Sequence, residues 1–276
     1  MNDLIPCPAC NKNEFETLLK KRVRKMYDIS IVKCGECGLV FNNPVLEEQL
    51  LQQFIFEDYY QSKEISSHID RRFVRHFKRR ARTHLKLISG FYQKEFTGRA
   101  LDIGCGAGFF LNEIRKQGWS VRGIEPDANC SQYAVNKLDI EVFRGLFKQY
   151  ETGDKFDLIY FSHVFDDLPE ISAVLDKVKE MLTSDGRIFI EVPNNNADKN
   201  FLKVKDGDFL ENKCYFTVET LLKLLKNNGF KILYSKMKEP VYINTFWQWV
   251  ISPIVLTRKL FPDRLKSLIR VIAAPI

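Results

Sequence analysis

The most constraining feature of this sequence is a short apolar run that leads directly into a turn with three glycines. Residues 100–103 have the composition of a buried strand, and Gly104, Gly106 and Gly108 follow at every second position. Glycine tolerates positive φ and has no Cβ, so a ligand can approach the backbone of such a turn closely. In open α/β sheets, ligands bind at the carboxyl ends of the strands, which is where this turn lies.

Strand and helix signals alternate on both sides of this turn. The predicted strands are 100–103, 120–124, 140–143, 156–161, 187–192 and 230–236, and the predicted helices are 109–117, 128–138, 169–182 and 218–228. Alternating elements of this kind favour a parallel sheet covered by helices on both faces. The predicted fold class is therefore α/β, with a doubly wound, Rossmann-like sheet.

Two pairs of cysteines, each spaced C-x-x-C, lie near the N-terminus: Cys7 with Cys10, and Cys34 with Cys37. No secretory signal opens the chain, so we expect a cytoplasmic protein, and in a reducing compartment paired cysteines indicate metal before disulfides. Two such pairs supply four thiolates for one tetrahedral Zn²⁺ ion. Four protein ligands leave no open position, so the predicted zinc is structural.

Composition divides the chain into four predicted segments. Residues 1–45 form a zinc ribbon, 46–97 a helical linker or lid, 98–240 the α/β domain and 241–276 an apolar and basic tail. The alternation of apolar and basic residues beyond position 262 is typical of an amphipathic helix at a membrane surface. Peripheral contact with a membrane and packing on the body or on a second subunit are both consistent with this tail, and the oligomeric state is not indicated.

Basic residues are clustered within the net charge of +7. One cluster lies at residues 20–25 and another at residues 71–86, where the arginines alternate with an apolar stripe at helical spacing. Such clusters suit nucleic acid, anionic lipid or a phosphorylated substrate, although a solvated helix face is an equally simple explanation.

The glycine spacing separates two classes of cofactor. A dinucleotide fingerprint, G-x-G-x-x-G, would place its third glycine where this sequence has Phe109. The sequence instead reads D-x-G-x-G-x-G from Asp102. Glu125 ends the next predicted strand, where a carboxylate can accept hydrogen bonds from both hydroxyls of a ribose.

With these motifs, residues 98–238 resemble the class I S-adenosylmethionine-dependent methyltransferases. The resemblance rests on residues 101–108, 123–126, 156–164 and 186–193. It implies that the glycine turn holds the methionine part of S-adenosylmethionine and that Glu125 binds the ribose. The cofactor-binding residues that it implies are Asp102, Gly104, Cys105, Gly106, Gly108, Phe109, Glu125, Pro126, Leu146, Phe161 and Ser162.

Several of these positions carry finer expectations. Leu146 replaces an acid that many relatives use near the adenine, so that contact falls to the backbone, and Cys105 is expected to contribute only its backbone. His163 is the candidate general base, since its unperturbed pKa is near neutral, although a purely structural histidine is an open alternative. Tyr59 and Tyr60 could cover the cofactor as a lid or pack against the helical stripe.

The N-terminal segment also resembles the zinc ribbon of bacterial methyltransferases that are often linked to sugar or surface-polysaccharide pathways, through residues 37–44. The resemblance implies methyl transfer to an oxygen or nitrogen atom of a small molecule or glycan. Two alternatives stay open. One is an RNA methyltransferase whose ribbon and basic helix bind phosphates, and the other is a non-catalytic zinc-ribbon adaptor that retains the fold.

Overall fold

The structure, a computed structural model, describes residues 4–23, 27–44, 71–92, 96–195, 214–238 and 268–276. The predicted lid tyrosines Tyr59 and Tyr60 lie outside the described residues. So do residues 239–267 of the tail region and most of the loop after the fifth predicted strand.

The described helices and strands are named here in chain order. They are β1 (Phe15–Val23), β2 (Tyr27–Cys34), β3 (Val40–Asn42), α1 (Arg71–Ser89), β4 (Arg99–Ile103), α2 (Phe109–Arg115), β5 (Ser120–Ile124), α3 (Ala128–Leu138), β6 (Glu141–Phe143), β7 (Phe156–Ser162), α4 (Ile171–Met181), β8 (Leu182–Pro193), β9 (Cys214–Tyr215), α5 (Val218–Asn227), β10 (Phe230–Lys238) and β11 (Leu268–Pro275).

The larger sheet has seven strands in the order β10-β11-β8-β7-β4-β5-β6. The five strands from β8 to β6 run parallel, whereas β11 pairs antiparallel with both β8 and β10. The order reverses at β4, whose neighbours are β5 and β7. The predicted α/β fold with a Rossmann-like sheet is confirmed, and the reversal next to β4 creates the crevice in which such sheets bind ligands.

Local sequence signals account for the helix boundaries that the structure shows. Asp127 caps α3, because its side chain accepts a hydrogen bond from the backbone N–H of Cys130 at 2.6 Å. Thr217 caps α5 in the same way through the N–H of Thr220. Gly229, with φ of 78°, follows the end of α5.

The predicted strand 187–192 is longer in the structure, where β8 begins at Leu182. Phe156 pairs with Leu182 and Leu158 pairs with Arg187, so the ladder between β7 and β8 skips residues 183–186. The strand therefore contains an irregularity at these residues.

The amphipathic helix predicted beyond residue 262 is wrong for Leu268–Pro275, which form β11. This strand pairs with β8 and β10 along its two edges, and it is covered on both faces, since Ile269 and Val271 on one face and Ile272 on the other are all buried. A strand buried on both faces has a nearly continuous apolar run. In the sequence, this run has the same appearance as the apolar face of a helix. Within the described residues, no helix is both long and apolar enough to cross a membrane.

The N-terminal strands form a second, antiparallel sheet in the order β1-β2-β3-β9. Its last strand comes from the α/β part of the chain, since Val40 pairs with Tyr215 and Phe41 pairs with Cys214. One hydrophobic core includes residues of both parts, among them Leu39 and Phe41 from the ribbon and Phe165 and Phe216 from the α/β part. The ribbon is therefore packed into the α/β core.

Candidate active site and metal centre

Four neighbouring parallel strands bring the predicted site residues to one edge of the sheet. Glu125 follows β5, the glycine turn follows β4, His163 follows β7, and Glu191 lies near the end of β8. Because the strands are parallel, their carboxyl ends share this edge. The sequence-predicted cofactor and base positions thus surround one crevice.

The glycine turn is anchored to the end of β5. The backbone N–H groups of Gly104 and Cys105 both donate to the carbonyl oxygen of Ile124, at 2.8 and 3.0 Å. Gly104, Gly106 and Gly108 have φ of 73°, 53° and 75°, in the left-handed region that favours glycine. The turn is therefore a fixed backbone feature that substitution with an L-residue would strain.

The three glycines differ in what surrounds them. A Cβ on Gly104 would lie 2.9 Å from Val164 Cγ2, and a Cβ on Gly108 would lie 3.0 Å from Ala134 Cβ. A Cβ on Gly106 would meet no described atom within 4 Å. Gly104 and Gly108 are thus required by packing, whereas Gly106 leaves open space into which a ligand can come close to the backbone.

Glu125 is buried beside the turn and accepts two backbone hydrogen bonds. Its Oε2 accepts from the N–H of Gly106 at 2.7 Å, and its Oε1 accepts from the N–H of Asp127 at 2.9 Å. Burial raises the pKa of Glu125 to about 7. Each carboxylate oxygen retains further acceptor capacity, so the group can still accept two hydroxyl hydrogen bonds from a ribose.

Two further predicted residues lie below the turn. The sulfur of Cys105 lies against Gly123, since a Cβ added to Gly123 would be 2.5 Å from Sγ. Burial raises the pKa of the Cys105 thiol well above its usual value, so the side chain is an inert packing group. Asp102 is buried in β4, and burial, reinforced by the charge of Glu125, raises its pKa.

The aromatic residues predicted at the cofactor are largely covered. The Phe109 ring is buried and stacks on Phe77 of α1, with centroids 6.0 Å apart. The Phe161 side chain is fully buried against Phe165, with centroids 5.2 Å apart. Only the backbone of Phe161 is therefore available to a cofactor, while Phe109 connects α1 to the glycine turn.

The predicted adenine side of the site lies after β6. Leu146 is half-buried, and its backbone N–H donates to Oε1 of Gln149 at 3.0 Å. The backbone N–H of Leu146, which we expected to contact the adenine, is thus already hydrogen-bonded to a side chain. Pro126, at the other end of the ribose position, is also half-buried.

His163 directly follows β7 with a left-handed backbone, at φ of 59°. Its backbone N–H donates to the carbonyl oxygen of Glu191 at 2.9 Å, and its Nε2 lies 3.4 Å from Oε1 of the same residue. The side chain is 20% exposed. A non-glycine residue with positive φ at a strand end is uncommon, and such positions concentrate at functional sites.

The sequence did not indicate that Arg80 and Glu191 lie beside this histidine. Arg80, grouped in the sequence with the outer basic cluster, turns inward from α1 and donates to Oε1 of Glu191 from Nε at 3.0 Å and from Nη2 at 2.5 Å. The same Nη2 donates to Oγ of Ser162 at 2.8 Å, which connects a predicted cofactor residue to the network. The available signal was a glutamate inside the apolar run of residues 188–192.

The four paired cysteines form one cluster, as predicted for a metal site. Their sulfur atoms all lie within 4.8 Å of one another, with 3.4 Å between Cys7 and Cys37 and 3.5 Å between Cys10 and Cys34. A tetrahedral zinc site with Zn–S bonds of about 2.3 Å places its sulfurs about 3.8 Å apart. The donor set and its spacing therefore fit a zinc ion.

A profile described as "Methyltransferase domain" matches residues 66–235 of the chain. Among curated proteins, one named "Uncharacterized methyltransferase" from Bacillus cereus is 25% identical over 173 residues, which cover 57% of this chain and 80% of that protein. Similar proteins of the same name come from Bacillus thuringiensis and Bacillus anthracis.

Solved structures share the fold. The plantazolicin methyltransferase BpumL, in complex with a triazolic desmethylPZN analog and SAH, has a TM-score of 0.55 at 19% identity, over 82% of this chain and 94% of that one. A DhpI–SAH complex has a TM-score of 0.55 at 16% identity, over 83% and 98%. Coclaurine N-methyltransferase, bound to N-methylheliamine and SAH, has a TM-score of 0.51 at 15% identity, over 70% and 72%.

Replacing Gly106 with alanine is expected to weaken S-adenosylmethionine binding at least tenfold, because the new methyl group would occupy the open space over the turn. Calorimetric titration measures this loss. Gly38→Ala is the matched control, since Gly38 also has positive φ, at 75°, and open surroundings, but lies in a cysteine knuckle. Each substitution should cost about 1 kcal/mol of stability from backbone strain. Equal effects of the two variants on affinity would contradict the assignment of the turn.

The affinity for S-adenosylmethionine is expected to fall as the pH is lowered through about 7, the pKa that burial gives Glu125. Ribose hydroxyls donate to the ionised carboxylate, so binding is strongest above this pKa and weakens by up to roughly tenfold per pH unit below it. Titrations at several pH values measure the profile. The variant Glu125→Gln should bind weakly with no such dependence, and an identical profile for both proteins would exclude Glu125 as its origin.

Proposed function

Because this chain belongs to the methyltransferase domain family, we propose that it transfers the methyl group of S-adenosylmethionine to an oxygen or nitrogen atom of a small-molecule or glycan acceptor. The observation that carries this proposal is the buried carboxylate of Glu125 hydrogen-bonded to Gly106 of the glycine turn. Such a pair combines a ribose acceptor with a turn that admits a ligand against its backbone.

The proposed cofactor position follows from the edge of the sheet. Glu125 accepts the ribose hydroxyls, the backbone from Gly104 to Gly108 lies along the methionine part, and Leu146 lies beside the adenine. Asp102 and Pro126 border the same space, with Cys105 and Phe161 contributing backbone. Phe109 and Ser162 hold the turn and the strand end through their contacts with α1.

Bound S-adenosylmethionine supplies a methyl group that is already activated by a sulfonium. The residues of the chain therefore have three tasks: to orient the acceptor in line with that methyl group, to exclude water and to remove a proton where the acceptor carries one. His163 is the proposed base, because it follows β7 at the crevice and is partly exposed.

A small-molecule acceptor is supported by the names of two proteins of the same fold, the coclaurine and plantazolicin methyltransferases. A glycan is supported by the zinc-ribbon resemblance of residues 37–44. The second candidate acceptor is RNA, because Arg71, Arg75, Arg79 and Lys86 are exposed on one face of α1. A row of cations on a helix can bind phosphates spaced along a backbone.

We also propose that Cys7, Cys10, Cys34 and Cys37 hold a structural zinc ion. The ribbon contacts the α/β part through hydrogen bonds as well as through the shared core. Ser172 Oγ donates to the carbonyl of Pro8 at 2.9 Å, and Asn227 Nδ2 donates to the carbonyl of Ala9 at 2.8 Å. Zinc in the knuckles would therefore stabilise more than the ribbon alone.

Zinc removal is expected to lower the thermal midpoint of the whole chain in a single transition, because metal binding free energy is folding free energy and the two parts share a core. Elemental analysis should find about one zinc ion per chain, and Cys34→Ser should lose it. Cys130→Ser is the control, since Cys130 is buried in α3 and should not affect the zinc content. Zinc-free wild-type protein, or separate transitions for the two parts, would contradict the proposal.

Labelled methyl transfer is expected when sugar nucleotides, lipid-linked glycans and small amines or alcohols are offered with S-adenosylmethionine. With the acceptor found, His163→Ala should lower kcat by about 10²- to 10⁴-fold, the usual contribution of a general base. A loss below about tenfold would be too small for that role.

The control for this screen is RNA under the same conditions. Methyl uptake by RNA alone, with an affinity that falls steeply with salt, would replace the small-molecule or glycan acceptor by the second candidate. Uptake by neither class would contradict the proposed activity.

A further inference from the structure

Glu191 is the most completely enclosed charged group of the crevice. Its side chain has 0% exposure, and it lies in β8 between Ile190 and Val192, which are also buried. Burial alone would raise the pKa of this carboxyl, but the hydrogen bond from His84 and the charge of Arg80 hold the pKa well below its usual value. Glu191 is therefore a buried carboxylate.

Three donors from two elements, α1 and β11, reach this carboxylate. Arg80 on α1 contacts Oε1, and Arg270 on β11 donates to Oε2 at 2.5 Å. His84, one turn beyond Arg80 on α1, has its Nε2 3.0 Å from Oε2. Because Nε2 of His163 lies 3.4 Å from Oε1, the carboxylate also connects α1 and β11 to the proposed base.

The neighbours of His84 define its tautomer. Its Nδ1 lies 2.6 Å from the hydroxyl of Tyr160, and burial lowers the pKa of His84 to about 4, so the ring is neutral. Burial also raises the pKa of Tyr160, so its hydroxyl stays protonated and donates a hydrogen bond to Nδ1 of His84. The remaining N–H of His84, on Nε2, then donates to Glu191.

Stability alone does not account for an ion cluster of this kind. Removing a carboxylate from water costs several kcal/mol, and apolar replacements of buried ion pairs are often as stable. Glu191 instead contacts His163, which follows the end of β7 and has a positive φ. That combination favours a role in the geometry of the site.

We propose that Glu191 is a positioning residue that accepts a hydrogen bond from Nε2–H of His163 and so makes Nδ1 the nitrogen that receives the acceptor's proton. This inference rests on the proposed function. The Nε2 atom of His163 is buried, which leaves Nδ1 as the nitrogen for the crevice. A carboxylate that orients a histidine base in this way selects its tautomer and stabilises the imidazolium that forms.

The proposed step transfers a methyl group to the acceptor and a proton to His163. The lone pair of the acceptor oxygen or nitrogen forms the new bond to the methyl carbon, and the bond from that carbon to sulfur breaks, with its electrons remaining on sulfur. The acceptor's proton passes to Nδ1 of His163. The resulting imidazolium, paired with the carboxylate of Glu191, later releases the proton to water.

The test combines Glu191→Gln with a spectroscopic readout. In wild-type protein, nitrogen NMR of His163 should show Nε2 protonated in the neutral ring. In Glu191→Gln this preference should be lost, and kcat should fall about 10- to 100-fold, as for other residues that orient a functional group, with the affinity for S-adenosylmethionine within about twofold. Glu113→Gln is the matched control, because Glu113 is also a buried carboxylate, held by Arg82 and Lys116, but on α2.

Two comparisons separate positioning from a merely structural role. In a His163→Ala background, Glu191→Gln should cause little further loss of kcat, because its effect passes through the histidine. An equal fractional loss in both backgrounds would overturn the proposal, as would Nδ1–H in the wild type. Should Glu191→Gln fail to fold, the wild-type tautomer alone decides.

The outcomes also distinguish this proposal from the proposed function. Methyl transfer that is absent from wild-type protein removes the proposed function, whereas the tautomer measurement still supports or overturns the contact between Glu191 and His163. Methyl transfer that survives His163→Ala with less than a tenfold loss supports the proposed function and overturns the positioning role.

Discussion

The parallel alignment of four strands is the constraint on which the rest of the site depends. It brings Glu125 and Glu191 to the same edge of the sheet from β5 and β8, with β4 and β7 between them. At about 4.8 Å per strand, the two buried carboxylates flank the glycine turn at a separation of roughly 14 Å. We propose the first for the ribose of the cofactor and the second for positioning the base on the acceptor side.

The ribbon shares a hydrophobic core with this sheet, and a series of residue contacts connects it to the crevice. Phe41 of β3 pairs with Cys214 of β9, and Phe216, two residues later, stacks on Phe165 with ring centroids 5.9 Å apart. The neighbouring Val164 packs at Gly104, where a Cβ would clash with it. A short series of packed residues therefore lies between the ribbon and the glycine turn.

Much of this arrangement could be predicted from sequence because its signals are local. The glycine turn, the strand before Glu125 and each C-x-x-C pair occupy only a few consecutive residues. Periodicity could not predict the partners of Glu191, since Arg80, His84 and Arg270 lie 79 to 111 residues away in the chain. Nor could it predict β9, because two residues are too few to show a period, or β11, whose apolar run fits a helix equally well.

The most direct test of this account is a parallel calorimetric titration of the chain with S-adenosylmethionine and with NAD. The open space at Gly106, the hydrogen bond from its N–H to Glu125 and the packing of the turn at Phe109 predict binding of S-adenosylmethionine at one site per chain and no binding of NAD. Binding of the dinucleotide, or no binding of S-adenosylmethionine, would contradict the assignment on which the proposed function depends.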